Sequence, residues 1–320
     1  MLKPIATSTR ELVSLDGLWD FDVINDDLEQ HAPWTRPLQS GLEAPVPASY
    51  NDLFVVDPKI HDHVGWVAYQ RQLFIPKGWT QERYFIRVEA ATHKGRVYVD
   101  DKFVAEHIGG YTPFDAEITD LVKPGQEVRL TITVNNELSN ITIPPGRIEV
   151  AENGTRRQKY DHDFFNYSGL PRSVWLCSKP KQSIEEITLV TDKEGATGII
   201  NYTVKTTESA QSNRIAIQVL DKERKVVAEA SGSDGKIEIP SANLWQPGAS
   251  YLYQFRANLQ DEAGAIIDTY NVATGIRSVR VQGHEFLIND KPFYFTGFGK
   301  HEDTLVRGKG HDQAYLVHDF

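Results

Sequence analysis

The chain has 320 residues, 40% hydrophobic and 24% charged, with a formal net charge of −10. This length predicts two or three domains, each able to bury a sizeable core. The acidic balance disfavours nucleic acid, whose phosphates demand a basic surface, and no segment reaches the roughly 18 uninterrupted apolar residues of a membrane span.

The opening run, Met1-Leu-Lys-Pro-Ile-Ala-Thr-Ser-Thr-Arg-Glu11, lacks the apolar centre of a signal peptide, so a cytoplasmic location is expected. Four sequons, at Asn140, Asn153, Asn166 and Asn201, are read as chance matches to a short pattern, although they leave a secretory route open. From there to about residue 181, short alternating runs dominate. Gln70–Ile75 and Arg96–Asp100 read as half-buried strands, as does the run in which Val128, Leu130, Ile132 and Val134 alternate with polar residues. Turn signals separate them at Pro76-Lys-Gly78, Asp100-Asp-Lys102 and Lys123-Pro-Gly125, and one helical turn is expected at Ala48–Leu53. This pattern predicts a jelly roll or related sandwich over 1–181, since two sheets must stack to hide their apolar faces.

One connection inside it is out of scale. Nearly 40 residues with little periodicity separate Val134 from the strand at Val174–Cys177. Loops longer than about 12–15 residues in compact domains are usually functional or disordered. The aromatic run Tyr160-Asp-His-Asp-Phe-Phe-Asn-Tyr-Ser-Gly169 argues for a docked loop instead. Asp161, His162 and Asp163 do not suit a metal, because neighbouring side chains point apart in extended chain. Asp163 reads equally as an acceptor for a sugar hydroxyl or as a turn residue holding backbone amides. Cys177, the single cysteine, allows no internal disulfide and is expected to be a buried, inert thiol.

From residue 182 to 275, seven segments have strand character: Ile187–Thr191, Ile199–Thr206, Asn213–Leu220, Val226–Ala230, Lys236–Ile239, Tyr251–Leu259 and Ile266–Val272. Seven strands in about 90 residues predict an immunoglobulin-like sandwich without a disulfide. A third unit, 276–320, holds Phe286-Leu-Ile288, a turn at Asn289–Pro292, a strand over Phe293–Phe298 and the beginning of a helix over Asp312–Phe320. Glu302 and Asp303 are unsuited to be an acid/base pair, since adjacent residues cannot flank one glycosidic bond. No G-x-S-x-G elbow and no phosphate loop is present.

Several segments resemble the N-terminal half of the β-glucuronidases of glycoside hydrolase family 2. They are Leu15-Asp-Gly-Leu-Trp-Asp-Phe21, Ala68–Trp79, Gly109-Gly-Tyr-Thr-Pro-Phe-Asp115, Val134-Asn-Asn-Glu-Leu138, Ile143-Pro-Pro-Gly146, His162-Asp-Phe-Phe-Asn-Tyr167 and Leu287–Asp303, in family order. The resemblance implies a jelly roll, an immunoglobulin-like sandwich and the start of a (β/α)8 barrel. It also implies a retaining enzyme that needs no cofactor or metal, with a β-glucuronide as substrate and homo-oligomeric assembly. By motif match, Asp163 reaches the barrel mouth to hydrogen-bond the sugar, and His301 and Asp303 line that mouth. The family's acid/base and nucleophilic glutamates and its Asn-x-Lys carboxylate-recognition element have no counterpart here. The residues after Asp303 are too few for a barrel of about 200 residues or more. The chain alone is therefore expected to be inactive, with the missing barrel polypeptide supplying the catalytic pair. Two other readings stay open: a free-standing carbohydrate-binding protein, and one half of a split glycosidase.

Overall fold

The computed structural model describes residues 2–25, 27–160 and 162–320. The protein is mainly β and divides into two compact units, neither continuous in sequence. One comprises Leu12–Ser178 with Lys300–Phe320, and the other comprises the chain up to Glu11 with Lys179–Gly299.

The first unit is a jelly roll built on two antiparallel sheets. Its larger sheet has six strands in the order Leu42–Val46, Gly17–Ile24, Trp66–Phe74, Glu127–Asn135, Lys94–Val99 and Lys102–Ile108. The smaller has four, in the order Glu11–Ser14, Val174–Lys179, Arg83–Val88 and Phe114–Glu117. Alternation decides which side chains meet. Leu130, Ile132 and Val134 pair across to Arg71, Tyr69 and Val67. Trp19, Phe21, Tyr50, Tyr69, Ile86, Leu130, Ile132 and Leu176 are buried between the sheets. The Phe21 ring lies 5.1 Å from that of Tyr69 and 5.4 Å from that of Tyr50, a spacing that favours tilted and edge-on aromatic packing. The same alternation corrects one expectation. Val174 and Leu176 take the inward positions of their strand, so Cys177 faces the other way and is only half-buried.

In the second unit all seven expected strands form, at Ile184–Glu194, Thr197–Thr206, Arg214–Leu220, Val226–Ser231, Asp234–Ile239, Tyr253–Gln260 and Ile266–Thr274. They divide into a sheet of three and a sheet of four, the immunoglobulin-like arrangement. Ile200, Ile217, Val219, Phe255 and Leu259 form its core, with Leu2 and Ile5 packed against it. Beyond it a hairpin of Val279–Gln282 and Glu285–Ile288 turns through Asn289 and Asp290, both at positive φ, into Lys291–Pro292. Asn and Asp tolerate that left-handed geometry, as tight hairpin turns require.

The expected strand at Phe293–Phe298 does not form among the described residues. Phe293 donates one backbone hydrogen bond to Phe286 at 2.8 Å, and the segment then runs without a ladder. A barrel strand needs parallel neighbours on both edges, and no described segment supplies one. Phe293, Phe295 and Phe286 pack edge-on against each other instead, with ring centroids 4.7–6.5 Å apart. The expected helix does form, over Gln313–Asp319, capped by the Asp312 carboxylate. At Ala48–Leu53 the expected helical turn is displaced: Ala48–Ser49 pairs as a strand, and a 3-10 turn follows at Asp52–Phe54.

A buried ion pair ties the N-terminal run into the second unit. Asp268 is fully buried and accepts from Arg10 Nε at 3.0 Å, Arg10 Nη2 at 2.6 Å, Thr9 Oγ1 at 2.9 Å and the Ile184 amide at 2.8 Å. Removing one partner of such a pair strands the other charge in low dielectric, which costs about 3–5 kcal/mol. Asp268→Ala should lower the exchange protection of core amides such as Phe255 and Ile217 by about that amount. Amides of the jelly-roll core, such as Ile132, should keep theirs. A loss under about 1 kcal/mol in this unit would show that the pair is dispensable.

Candidate functional site

The long connection is a docked loop, as expected, and it also contains a hairpin that periodicity did not reveal. Gly146–Val150 pairs antiparallel with Arg156–Tyr160. Both strands are largely exposed, and the one alternation, Ile148 and Val150 against Arg147 and Glu149, is too short to mark a strand. The available signal was the Asn153-Gly154 dipeptide, a hairpin-turn marker that doubles as a sequon. After the hairpin the chain re-enters the jelly roll, where Gly169–Leu170 pairs with Ala48–Ser49. Gly169 lies at φ +119°, and a Cβ there would collide with the Tyr69 hydroxyl, so glycine is required.

Three asparagines fasten the loop. Asn136 donates to the Tyr50 hydroxyl at 2.9 Å and the His63 carbonyl at 2.7 Å, and accepts from the Gly65 amide at 2.9 Å. Asn51 accepts from the Ser168 amide at 2.9 Å. Asn166 is buried, donates to the Asn136 carbonyl at 3.2 Å and pairs with His93 Nε2 at 2.7 Å. With its amide so engaged, Asn166 cannot serve as a glycan acceptor in the folded chain. Tyr167 donates to Asp52 at 3.0 Å, and burial followed by that carboxylate pushes its phenol up to about 12.

Residues 300–311 dock beside the same loop. The Ser49 amide donates to the Arg307 carbonyl at 2.9 Å, the Lys309 amide to Ser49 Oγ at 3.2 Å, and the His311 amide to the Pro171 carbonyl at 2.8 Å. Gly310 lies so close that a Cβ would fall 2.5 Å from Ala48 Cα. The Lys309 ammonium sits 4.0 Å from the Phe164 ring centroid and 5.7 Å from that of Tyr111, an attraction between a cation and ring faces. Burial pulls this lysine below the usual range, while Glu302 and Asp303 pull it back up.

The structure thus gathers the three singled-out residues in one neighbourhood, by way of their neighbours. Phe164, next to Asp163, meets the His301 ring edge-on at 6.4 Å, and His301 Nδ1 lies 3.7 Å from Asp303. Asp163 is exposed, and among the described residues its carboxylate has no hydrogen-bond partner, so it holds no turn amides. Glu302 is committed elsewhere, in a 2.8 Å ion pair with Arg172. Asp161 lies outside the described residues, and among the described residues no group of three His, Cys, Asp or Glu side chains could hold a metal ion. Lys309, Tyr111 and Arg172 escaped the sequence reading, because their role depends on contacts between segments far apart in the chain.

His93 and His63 give the jelly-roll unit a pH dependence. Burial lowers both below the ordinary value of 6.5, against the Asn166 and Trp66 hydrogen bonds that raise them. The unfolded chain therefore takes up protons near pH 6.5 that the folded chain resists, so stability is full above that value and falls as pH drops below it. Urea midpoints measured from pH 7.5 to 5 should decline on the acid side, and His93→Gln should flatten the slope. An unchanged slope would remove His93 as a cause.

The comparisons with known proteins follow the same order along the chain. Residues 12–180 match the model described as glycosyl hydrolases family 2, sugar binding domain, residues 182–277 match glycosyl hydrolases family 2, and residues 279–320 match its TIM barrel domain. Among curated relatives, the chain is 42% identical over 326 residues to a β-glucuronidase of Paenibacillus borealis, covering 100% of this chain and 54% of that protein. It is 39% identical over 345 residues to that of Sus scrofa, covering 100% and 53%. A solved β-glucuronidase from Ruminococcus gnavus in complex with D-glucuronic acid superposes with a TM-score of 0.95 at 34% identity, covering 100% of this chain and 55% of that one. The chain thus spans about half the length of the relatives it matches. Jelly roll, sandwich and the segment after them each meet the corresponding model in turn, and the protein belongs to glycosyl hydrolase family 2.

Proposed function

We propose that this chain is the scaffold and substrate-contacting part of a retaining β-glucuronidase acting on terminal β-D-glucuronides. In this reading the sequence divides into a jelly roll over 1–181, a sandwich over 182–275 and the start of a barrel over 276–320. Asp163 accepts a hydrogen bond from a sugar hydroxyl, and His301 and Asp303 line the same mouth. The observation that carries the reading is Asp163 itself. Its carboxylate is exposed and, among the described residues, unpartnered, between a Phe164 ring held by Lys309 and an Asn166 side chain bonded to the Asn136 carbonyl. A free carboxylate on a rigid loop is preorganised to accept, whereas one on a mobile loop would lose much of its bond to ordering.

Retaining hydrolysis needs two carboxyl groups about 5–5.5 Å apart, one as acid/base and one as nucleophile. Neither family glutamate motif occurs in these 320 residues, and Glu302 is held by Arg172. Those groups belong to further barrel sequence, which is the partner this reading requires. Homo-oligomeric assembly in the cytoplasm completes it. Among the described residues no helix is long and apolar enough to cross a membrane.

Two assays test the proposal. The 320-residue chain alone should release no aryl aglycone above buffer from an aryl glucuronide, and authentic turnover would overturn the division of labour. In the complete enzyme, Asp163→Ala should lower kcat/KM by about tenfold to a hundredfold, the worth of a charge-assisted hydrogen bond of about 1.5–3 kcal/mol. Its thermal midpoint should barely move. Normal kcat/KM in a variant that melts much earlier would make Asp163 structural.

A further inference from the structure

Lys309 is half-buried, a position that costs an ammonium part of its hydration. The two carboxylates whose charge it feels are taken by other partners, Glu302 by Arg172 at 2.8 Å and Asp303 by His301 Nδ1 at 3.7 Å. Among the described residues no carboxylate is in ion-pair contact with Lys309 itself. Its head group faces rings instead, 4.0 Å from the Phe164 centroid and 5.7 Å from that of Tyr111. An apolar side chain could fill this space without losing hydration; only a cation is drawn to the negative faces of the rings.

The backbone fixes where this side chain begins. The Lys309 amide donates to Ser49 Oγ at 3.2 Å, and its carbonyl accepts from Arg172 Nη1 at 3.1 Å. On either side the chain is packed to contact. A Cβ at Gly308 would fall 2.5 Å from the Tyr167 ring, and one at Gly310 would fall 2.5 Å from Ala48 Cα.

Phe164, at the other end of the contact, follows Asp163 directly in the chain. Its ring meets that of His162, on the other side of Asp163, at 4.2 Å, and that of His301 at 6.4 Å with 70° between the planes. The Asp163 carboxylate is exposed and has no hydrogen bond among the described residues, so its direction is set by the residues flanking it. A cation over a ring face resists both displacement and rotation of the ring, because the attraction belongs to the face alone.

We infer that Lys309 is a positioning residue for hydrolysis: its ammonium, seated on the Phe164 ring face, holds Asp163 in its working direction without itself touching the sugar. The inference rests on the reading of Asp163 as acceptor of a sugar hydroxyl and names what keeps that acceptor in place. Small misplacements of such a group are costly to the rate.

The test is steady-state kinetics of the complete enzyme with an aryl glucuronide. Lys309→Met keeps an unbranched apolar stem and removes the charge. It should lower kcat/KM about tenfold, the fold-change of one desolvated contact between a cation and a ring. The loss should fall mainly on kcat, since a misdirected acceptor fails most in the transition state. Lys309→Arg, which can also sit over a ring face, should recover most of it. Phe164→Leu keeps apolar bulk without the face and should lower kcat/KM by a similar factor. Added to Phe164→Leu or to Asp163→Ala, Lys309→Met should cost no more than about a further twofold, because all three act through one group. Thermal midpoints should barely move. A fully additive loss in the Asp163→Ala background, a midpoint that drops along with the activity, or full activity of Lys309→Met beside a crippled Asp163→Ala would each overturn the inference and leave the hydrolase reading standing. Unimpaired kcat/KM in Asp163→Ala itself would remove that reading of Asp163, and this inference with it.

Discussion

The loop and the segment after the sandwich are held in place by one short piece of chain, Ala48–Tyr50. It is hydrogen-bonded on both sides: to Gly169–Leu170 and the Ser168 carbonyl on one, and to Arg307 and Lys309 on the other. Backbone groups at such depth must be paired, since an orphaned one costs about as much as a lost hydrogen bond. The two segments satisfy that demand together. Close contact enforces it: a Cβ at Gly310 would strike the Ala48 backbone, and one at Gly308 would strike the Tyr167 ring. Residues roughly 140 positions apart thereby come to share one edge, and the Asp163 and His301 neighbourhoods coincide through Phe164.

Three asparagines meet buried polar groups in and around the loop. Asn136, Asn166 and Asn51 each bridge backbone or side-chain groups that would otherwise be buried without partners. A loop without regular structure can persist inside a domain only under that condition. Against that background the freedom of Asp163 carries chemical meaning: the network that pins its neighbours leaves this carboxylate to solvent. The cation on Lys309 acts in the same sense. It joins Phe164 and Tyr111 by their ring faces while Arg172 keeps Glu302 occupied, so only some of the local charges remain available.

The two units differ in how their chain ends are secured. In the sandwich unit the N-terminal run is locked by a charged cluster on Asp268 and by Tyr270, whose hydroxyl donates to the Lys3 carbonyl at 2.5 Å. In the jelly-roll unit the terminal helix is held by its Asp312 cap, which pairs with Arg307 at 3.2 Å, and by an ion pair of Asp319 with Lys300. The first arrangement is a closed polar cluster. The second leaves Tyr315 and Val317 largely exposed.

The sequence by itself determined the β character, the seven sandwich strands and the location of the unusual loop. Each of these rests on alternation of two or on an excess of length, and both are local. It also singled out Asp163, His301 and Asp303, by motif. It missed the Gly146–Tyr160 hairpin, whose largely exposed strands carry only a short alternation at Ile148 and Val150, and it placed Cys177 on the wrong side of its strand. The resemblance to a barrel's opening strand predicts a strand at Phe293–Phe298, but a parallel strand exists only where neighbours complete its ladder. Only the tertiary structure decided that Asp163 is unpartnered, that Glu302 is consumed by Arg172, and that Lys309 ties the loop to the segment bearing His301. Those are contacts between residues more than 100 positions apart, and no local pattern records which distant groups will meet.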